Sequence, residues 1–262
     1  MNIIESIILG IIQGITEFLP ISSSGHLLIA RDYFNIHHLD LFLEIFLHAG
    51  TLLAILLFWR NEILLEIKKI LQQEYDYFFK IVIATVPAGI IGFLFKNEIE
   101  SIFFSTESSK YLIINYLIMS IILFSIKNIA TKNSDKNLTI KIALLIGIAQ
   151  AVAILPGISR SGITICIGCL SGLSLSRSTQ FSFFIAIPIM FFASIYSIFQ
   201  NSVMFSNNAL AFPLLCGFIT SAMVGYLIIN ILVKLIYSQK FWFFSIYCFC
   251  ISLFLLVYNY VI

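Results

Sequence analysis

The chain is patterned in long apolar runs rather than in short alternating stretches. Six runs, at about 41–59, 78–95, 111–127, 179–199, 209–233 and 241–262, each supply roughly 17 to 25 mostly apolar residues, enough for a helix to cross a bilayer core. Two more runs are interrupted. Residues 3–34 break at Pro20 and the Ser22-Ser23-Ser24-Gly25 that follows; residues 140–173 break at Pro156-Gly157 and Ser159-Arg160-Ser161-Gly162. A proline drives the residue before it out of helical geometry. Each interrupted run therefore predicts a short helix, a polar loop and a second short helix. Neither half is long enough to cross, so both runs are expected to form re-entrant hairpins that enter the membrane and return. A stripe at Ile63, Leu64, Ile67, Ile70 and Leu71, within residues 62–75, predicts a helix lying on the membrane surface.

Composition supports this all-α polytopic membrane fold. Of 262 residues 60% are hydrophobic and 11% charged, against about 25% charged in ordinary soluble domains. Twenty-six phenylalanines are too many to hide inside a water-soluble domain of this size. The net charge of +2 and the lack of a basic cluster with interleaved aromatics argue against a nucleic-acid partner. Glu5 precedes any Lys or Arg, the first of which is Arg31, and no small-residue cleavage site follows, so the first apolar run is expected to stay in the mature protein. Cys166 and Cys169 form a C-x-x-C without a second ligand pair. They and Cys216, Cys248 and Cys250 are read as small packing residues.

Positive charge sets the orientation of a membrane protein. Arg60, Lys68, Lys69, Lys80, Lys127, Lys132, Lys136, Lys141, Arg177, Lys234 and Lys240 fall on one side of the predicted spans, eleven of the 15 Lys and Arg. Arg31, Lys96 and Lys110 fall on the other, and the 200–208 connection has none. The eleven are placed in the cytoplasm, which puts both termini outside. Hairpin 3–34 then starts and ends outside, and hairpin 140–173 inside.

The interrupted runs also resemble each other. GIIQGITEFLPISSSG from Gly10 and GIAQAVAILPGISRSG from Gly147 share G-I-x-Q, an apolar run, a proline and I-S-x-S-G. Each is followed by three spans. The chain is read as one integral membrane domain built of two halves, about 1–130 and 138–262, in an inverted-topology repeat. Broken helices at matching places in inverted halves point to the functional site, because irregular backbone is tolerated there only where it lines a polar cavity.

The polar residues of these breaks carry the chemistry. Gln13 and Glu17 are four apart, hence on one helix face, and Gly10 and Gly14 allow another helix to pack closely. Glu17 lies among Ile11, Ile12, Ile15, Phe18 and Leu19, and an intramembrane acid is by default a functional candidate. Ser22, Ser23 and Ser24 exceed what one helix cap requires, and His26 sits at a helix N-terminus, where amides attract anions. Arg160 lies midway along an apolar run, and no acidic residue follows Asp135, so its counter-charge must come from the first half or from a ligand. Glu17 and Glu44 are the buried acids available. Arg160 with Ser159, Ser161, Thr164 and loop amides is a phosphate-binding set; a purely structural pair with Glu17 is the bland alternative. Glu44, four residues before His48, is read as a second polar wall of the same cavity. His37 and His38 are assigned nothing.

At these residues the sequence resembles the undecaprenyl-diphosphate phosphatases of the bacitracin-resistance protein family. The resemblance rests on Gln13, Glu17, Pro20, Ser22, Ser23, Gly25 and His26, and on Pro156, Gly157, Ser159, Arg160, Ser161 and Thr164. It also takes in the span from Glu44 to Trp59 and the FSFFIAIP stretch from Phe181. Gln13 stands where some members have Glu, so an acid there cannot be indispensable in this protein. The resemblance implies hydrolysis of undecaprenyl diphosphate to undecaprenyl phosphate and phosphate, in the bacterial cytoplasmic membrane, at a site opening outward. It implies recycling of the lipid carrier for cell-wall polymers and resistance to bacitracin, which acts on the same lipid. It also suggests a divalent cation, magnesium or calcium, held by Glu17 and a substrate oxygen, and no organic cofactor. Glu17, Ser23, His26 and Arg160 are the expected catalytic residues. Gln13, Ser22, Ser24, Gly25, Glu44, Ser159, Ser161 and Thr164 are expected to bind substrate. His26 is favoured over Ser23 as nucleophile, with activated water as a third route. A lipid-phosphate flippase on the same fold and a non-enzymatic scaffold are the rival readings, and homo-oligomerisation stays open.

The orientation generates a prediction. With the five native cysteines replaced, a cysteine at Phe205 is expected to react with an impermeant thiol reagent on intact cells and one at Asp135 to be protected. The opposite labelling would invert the topology.

Overall fold

A computed structural model describes residues 2–34, 36, 41–103, 108–127, 136–200, 208–237 and 240–261. His37, His38 and the test positions Asp135 and Phe205 lie outside the described residues. The described residues form twelve α-helices and one short 3-10 turn, with no strand among them. In the first half these are α1 (Ile3–Thr16), α2 (Ser23–Phe34), α3 (Leu41–Phe58), α4 (Arg60–Leu71), α5 (Asp76–Leu94), α6 (Lys96–Phe103) and α7 (Ser108–Ser125). The second half has α8 (Ile140–Val152), α9 (Arg160–Leu170), α10 (Leu175–Gln200), α11 (Asn208–Tyr237), the 3-10 turn Phe241–Phe243 and α12 (Phe244–Val261).

Local chemistry accounts for several of these boundaries. Asn2 and Glu5 form a reciprocal capping box at the start of α1, with both hydrogen bonds at 2.8 Å. Thr139 caps α8 by accepting from the Ile142 N–H. Both interrupted runs stop four residues before their proline, α1 at Thr16 before Pro20 and α8 at Val152 before Pro156. A prolyl ring removes an N–H and clashes with the carbonyl four residues back, so the helix ends where that carbonyl stands. Helix α4 ends at Leu71 rather than running to residue 75, because Gln73 takes φ 67°.

Among the described residues four helices are long and apolar enough to cross a membrane: α5, α10, and parts of α11 and α12. The α3–α4 pair, bent by 76° at Trp59, would make a fifth span. Helix α7 has the expected place but, over Lys110–Ser125, counts as a shorter apolar helix. The molecule is inside-out relative to a soluble protein. Phe93 is 72% exposed, Phe192 65% and Ile121 64%, whereas Gln13 and Thr51 are fully buried. Helix α4 buries no residue and leaves Leu64, Ile67 and Leu71 exposed, as a surface helix would.

Helix pairing is reciprocal between the halves. Helix α1 packs on α11 and α8 on α5; α3 packs on α10, and α7 on α12. Small residues and hydroxyls make these contacts, since apolar side chains gain little by leaving lipid for one another. A Cβ at Gly10 would lie 2.6 Å from the Gly217 carbonyl oxygen of α11. One at Gly147 would lie 2.7 Å from that of Ala84 in α5. Ser221 Oγ donates to Leu47 O at 2.9 Å, and Ser120 and Ser252 each donate across the α7–α12 pair at 2.8 Å. Cys166, Cys169 and Cys248 are buried among apolar neighbours, and the five cysteines form no disulfide.

Glycine substitutions test the close pairing. Gly147→Ala is expected to destabilise the detergent-purified protein by about 1–3 kcal/mol, because neither backbone can yield. A Cβ at Gly89 meets no atom within 4 Å. Gly89→Ala is therefore expected to be neutral or slightly stabilising through helix propensity. Thermal unfolding of both variants measures the difference.

Candidate active site

The loops after α1 and α8 meet tip to tip. Gln13 and Gln150, Ser22 and Ser159, Ser24 and Ser161, and Gly25 and Gly162 correspond at one constant spacing along the chain. On the same spacing Ser23 corresponds to Arg160. Each is the first residue of the second helix of its hairpin. The preceding serines act alike: Ser22 Oγ accepts from the Gly25 N–H at 3.3 Å and Ser159 Oγ from the Gly162 N–H at 3.1 Å. The loops also bind each other. Ser22 Oγ accepts from the Gly157 N–H at 3.1 Å, while Ser159 and Ser161 donate to Leu19 O at 3.4 and 3.2 Å.

Two tip residues have left-handed backbone, Ser22 at φ 65° and Gly157 at φ 89°. For a serine this conformation is uncommon and mildly strained. Its surroundings fix it: the Ser22 carbonyl accepts from Tyr116 Oη at 3.4 Å and lies 2.7 Å from His26 Nδ1. Asn115, next to Tyr116 on α7, donates to Pro156 O at 2.6 Å. Adjacent residues of one helix thus hold both tips.

Glu17 is the centre of the site. It is 6% exposed at the end of α1. Arg160 Nη2 is paired with one carboxylate oxygen, Oε1. The other, Oε2, accepts from Ser23 Oγ at 2.6 Å and Gln13 Nε2 at 3.1 Å, and lies 3.2 Å from His48 Nε2. His48 Nδ1 lies 2.8 Å from the Glu44 carbonyl oxygen, so both ring nitrogens face acceptors and the ring is placed to donate to Glu17. Glu17, Ser22, Ser23, Ser24, Glu44, Ser159 and Arg160 line a cavity of about 260 Å³, together with His48 and Gln150. Buried Oε2 of Glu44 and Oε1 of Gln150 in this cavity have no hydrogen-bond partner.

Five expected site residues do not line the cavity. Both nitrogens of His26 are turned elsewhere, Nε2 lying 2.7 Å from Tyr247 Oη and Nδ1 2.9 Å from Tyr116 Oη. The expectation of His26 as nucleophile is therefore corrected: its ring is held between α7 and α12 and is not part of the cavity lining. Gln13 supports Glu17 from behind. Gly25 packs against Tyr116, where a Cβ would lie 2.5 Å from the hydroxyl. Ser161 ties down the first loop, and Thr164 bonds Arg160 O at 2.7 Å and Ser182 Oγ at 2.6 Å. A cation on Glu17 is also a poor fit, since donors already occupy both oxygens. Glu44 has the free carboxylate oxygen. Among the described residues no cluster of three or more His, Cys, Asp or Glu could hold a metal. Sequence reasoning gave no role to His48, Gln150, Tyr116 or Tyr247. The repeated G-I-x-Q was the available signal for Gln150, and the spacing of four from Glu44 that for His48.

The family model for the bacitracin resistance protein BacA matches residues 6–254. This chain belongs to the BacA family. It is 35% identical to a protein of Methanobrevibacter smithii named undecaprenyl-diphosphatase, over 97% of this chain and 96% of that one. A namesake from Caldicellulosiruptor bescii is 36% identical over 96% of each chain. Undecaprenyl-diphosphatase 1 of Bacillus licheniformis is 33% identical over 98% of each. The family match covers both loop tips and α1 through most of α12.

The Glu17–Arg160 pair joins the two halves in apolar surroundings, where an unpaired charge is costly. Arg160→Met is therefore expected to lower thermal stability. Adding Glu17→Gln is expected to restore part of it, with a coupling of about 1–3 kcal/mol. Additive losses in a double-mutant cycle would mean that the pair contributes nothing to holding the halves together.

Proposed function

We propose that this protein is an undecaprenyl-diphosphate phosphatase, which releases the terminal phosphate of the lipid diphosphate and leaves the monophosphate carrier. The observation that carries this reading is the meeting of Ser23, Glu17 and Arg160 at one cavity, from opposite loop tips, in a chain about a third identical end to end to proteins named for that activity. Recycling of the carrier for cell-wall polymers and resistance to bacitracin, which acts on the same lipid, follow from it. The relatives reported are named for phosphatase activity, so the flippase and scaffold readings are set aside.

Ser23 is the nucleophile in this proposal, in place of His26. Its hydroxyl already donates to Glu17, the arrangement a serine needs because it attacks only when a base takes its proton. A diphosphate in the cavity competes with Glu17 for the Arg160 guanidinium. As Arg160 turns to the phosphate oxygens, Glu17 is released to act as base. Ser23 Oγ bonds to the terminal phosphorus, its proton passes to Glu17, and the bond to the bridging oxygen breaks, freeing undecaprenyl phosphate. Arg160 and the amides at the start of α9 carry the charge that develops on the equatorial oxygens. Glu17 passes the Ser23 proton to the departing phosphate and is again a carboxylate. It then takes a proton from a water that bonds to the phosphorus of the phosphoserine; the bond to Ser23 Oγ breaks, Glu17 returns the proton to Ser23, and phosphate is released. His48, beside Glu17, holds the carboxylate in place through both steps.

Glu44 is the residue suited to a divalent cation, with phosphate oxygens of the substrate completing its shell; magnesium or calcium there would neutralise diphosphate charge. For topology we propose six crossing segments and two re-entrant hairpins in an inverted repeat of halves 1–130 and 138–262. The reciprocal helix pairing supports this arrangement. The basic-residue distribution supports placement in the bacterial cytoplasmic membrane with the eleven cations inside and the cavity opening outward.

Rapid quenching with substrate labelled in the terminal phosphate tests the mechanism. Label is expected on the protein, stable to acid and lost in alkali, and absent from Ser23→Ala, whose turnover falls on the order of 10³-fold or more. Label stable to alkali and lost in acid would return the attack to His26. Wild-type turnover by Ser23→Ala would remove Ser23 from the mechanism.

A further inference from the structure

The histidine of the first loop tip lies outside the cavity, and its hydrogen bonds show what it holds. Three donors converge on the Ser22 carbonyl: the His26 N–H at 3.2 Å, Tyr116 Oη at 3.4 Å and His26 Nδ1 at 2.7 Å. A carbonyl oxygen only accepts, so Nδ1 carries the ring proton. Among the described residues no carboxylate pairs with His26 to hold a second proton on the ring. A neutral imidazole with its proton on Nδ1 has an acceptor at Nε2. Tyr247 Oη stands 2.7 Å from that nitrogen, with the two rings stacked at 5.7 Å. Tyr247 belongs to α12 and is 39% exposed, yet its hydroxyl is directed inward onto His26. The second hairpin supplies a comparison. At the place matching His26 it has Ile163, and its cap serine, Ser159, has ordinary extended backbone at φ −73° and ψ 120°. Ser22, the matching serine of the first tip, has φ 65°. The histidine goes with the left-handed serine.

We infer that Tyr247 is a positioning residue for Ser23, acting through the His26 ring and the Ser22 carbonyl. That carbonyl belongs to the peptide unit whose N–H is that of Ser23, so fixing its direction fixes the base of the Ser23 side chain. Left-handed backbone at a serine is mildly unfavourable and persists only with outside support. The Tyr247 hydroxyl supplies part of that support. By donating to Nε2 it selects the Nδ1–H tautomer and the ring orientation that points the proton at Ser22 O. Without it the ring is free to carry its proton on Nε2, and Nδ1 then sets a lone pair against the carbonyl. Ser22 relaxes toward ordinary backbone, and Ser23 Oγ loses its 2.6 Å bond to Glu17. A displacement of about 1 Å at a reacting atom costs on the order of 10²-fold in rate. This inference rests on the phosphatase reading above, with Ser23 as nucleophile, and adds what the last helix contributes to it.

The test uses Tyr247→Phe, which removes one oxygen at a partly exposed position and keeps the stacked ring. Turnover and KM for undecaprenyl diphosphate are compared in wild type, Tyr247→Phe and Tyr258→Phe, each checked for folding by its unfolding temperature. Tyr258 lies on the same helix, stacked on Phe254, and its variant is expected to behave as wild type. In Tyr247→Phe kcat is expected to fall about 10- to 100-fold with KM within about twofold of wild type. Acid-stable label from the terminal phosphate is expected to appear on the protein more slowly by the same factor. Nitrogen NMR of the histidine rings, with the His26 signals assigned by their loss in His26→Gln, gives a readout that needs no folded Tyr247 variant. The wild-type ring is expected to carry its proton on Nδ1. A proton on Nε2 in wild type would overturn the inference, as would wild-type kcat in Tyr247→Phe or a rise in KM in place of the fall in kcat. Label that is stable to alkali and lost in acid would also overturn it, because His26 would then be the group that attacks. No phosphate release by wild type would instead overturn the phosphatase reading itself.

Discussion

A carboxylate and a guanidinium in apolar surroundings must find each other or leave the membrane, and the rest of this structure follows from that constraint. The second half of the chain has no acid beyond Asp135, so within the chain Arg160 must reach across to an acid of the first half, and it pairs with Glu17. That requirement brings the two broken helices together at their tips. It also explains why Glu17 is so heavily solvated by protein groups. Ser23, Gln13 and His48 supply the donors that water would supply elsewhere. A buried pair of this kind is poor evidence of stability for its own sake. In the mechanism proposed above the pair is exchangeable, with an incoming diphosphate taking the place of Glu17 on the guanidinium.

The scaffold solves the matching problem of backbone. Loops that interrupt apolar helices expose N–H and C=O groups that apolar surroundings cannot satisfy. Here the loops satisfy one another through Ser22, Ser159 and Ser161, and α7 completes the set through Asn115 and Tyr116. His26 belongs to this supporting layer, held between two tyrosines. The left-handed Ser22 is the point at which support becomes chemistry, since it aims the next residue at Glu17. One serine in each tip caps its helix, and the following position carries the group that meets Glu17: a hydroxyl in one half and a cation in the other.

Much of this was legible in the chain itself. Each helix-breaking proline falls four residues beyond a helix end, and the six long runs, the two broken ones and the surface helix all appear as helices near their expected bounds. Glu17, Ser23 and Arg160 were legible because charge and hydroxyl clusters stand out against apolar sequence. Elimination of other acids narrowed the partner of Arg160 to Glu17, Glu44 or a ligand, and the structure shows Glu17. Span count was less legible, because length and hydropathy admit four or five crossings where six runs were expected.

The direction in which side chains point was not legible. His26 lies three residues after Ser23 and shares its polar stretch, yet it faces α7 and α12 while Ser23 faces Glu17. His48 looked like an appendage of Glu44 and proves to touch Glu17. Both outcomes depend on which distant helix packs against which face, and Tyr247 is 221 positions from His26. Sequence by itself determined the membrane class, the broken helices and the polar residues that stand out at the breaks, because these follow from the cost of polar groups in hydrocarbon and from local backbone sterics. Only the tertiary structure decided which of those residues share a cavity, because hydrogen-bond partners in apolar surroundings are assigned by helix packing between segments far apart in the chain.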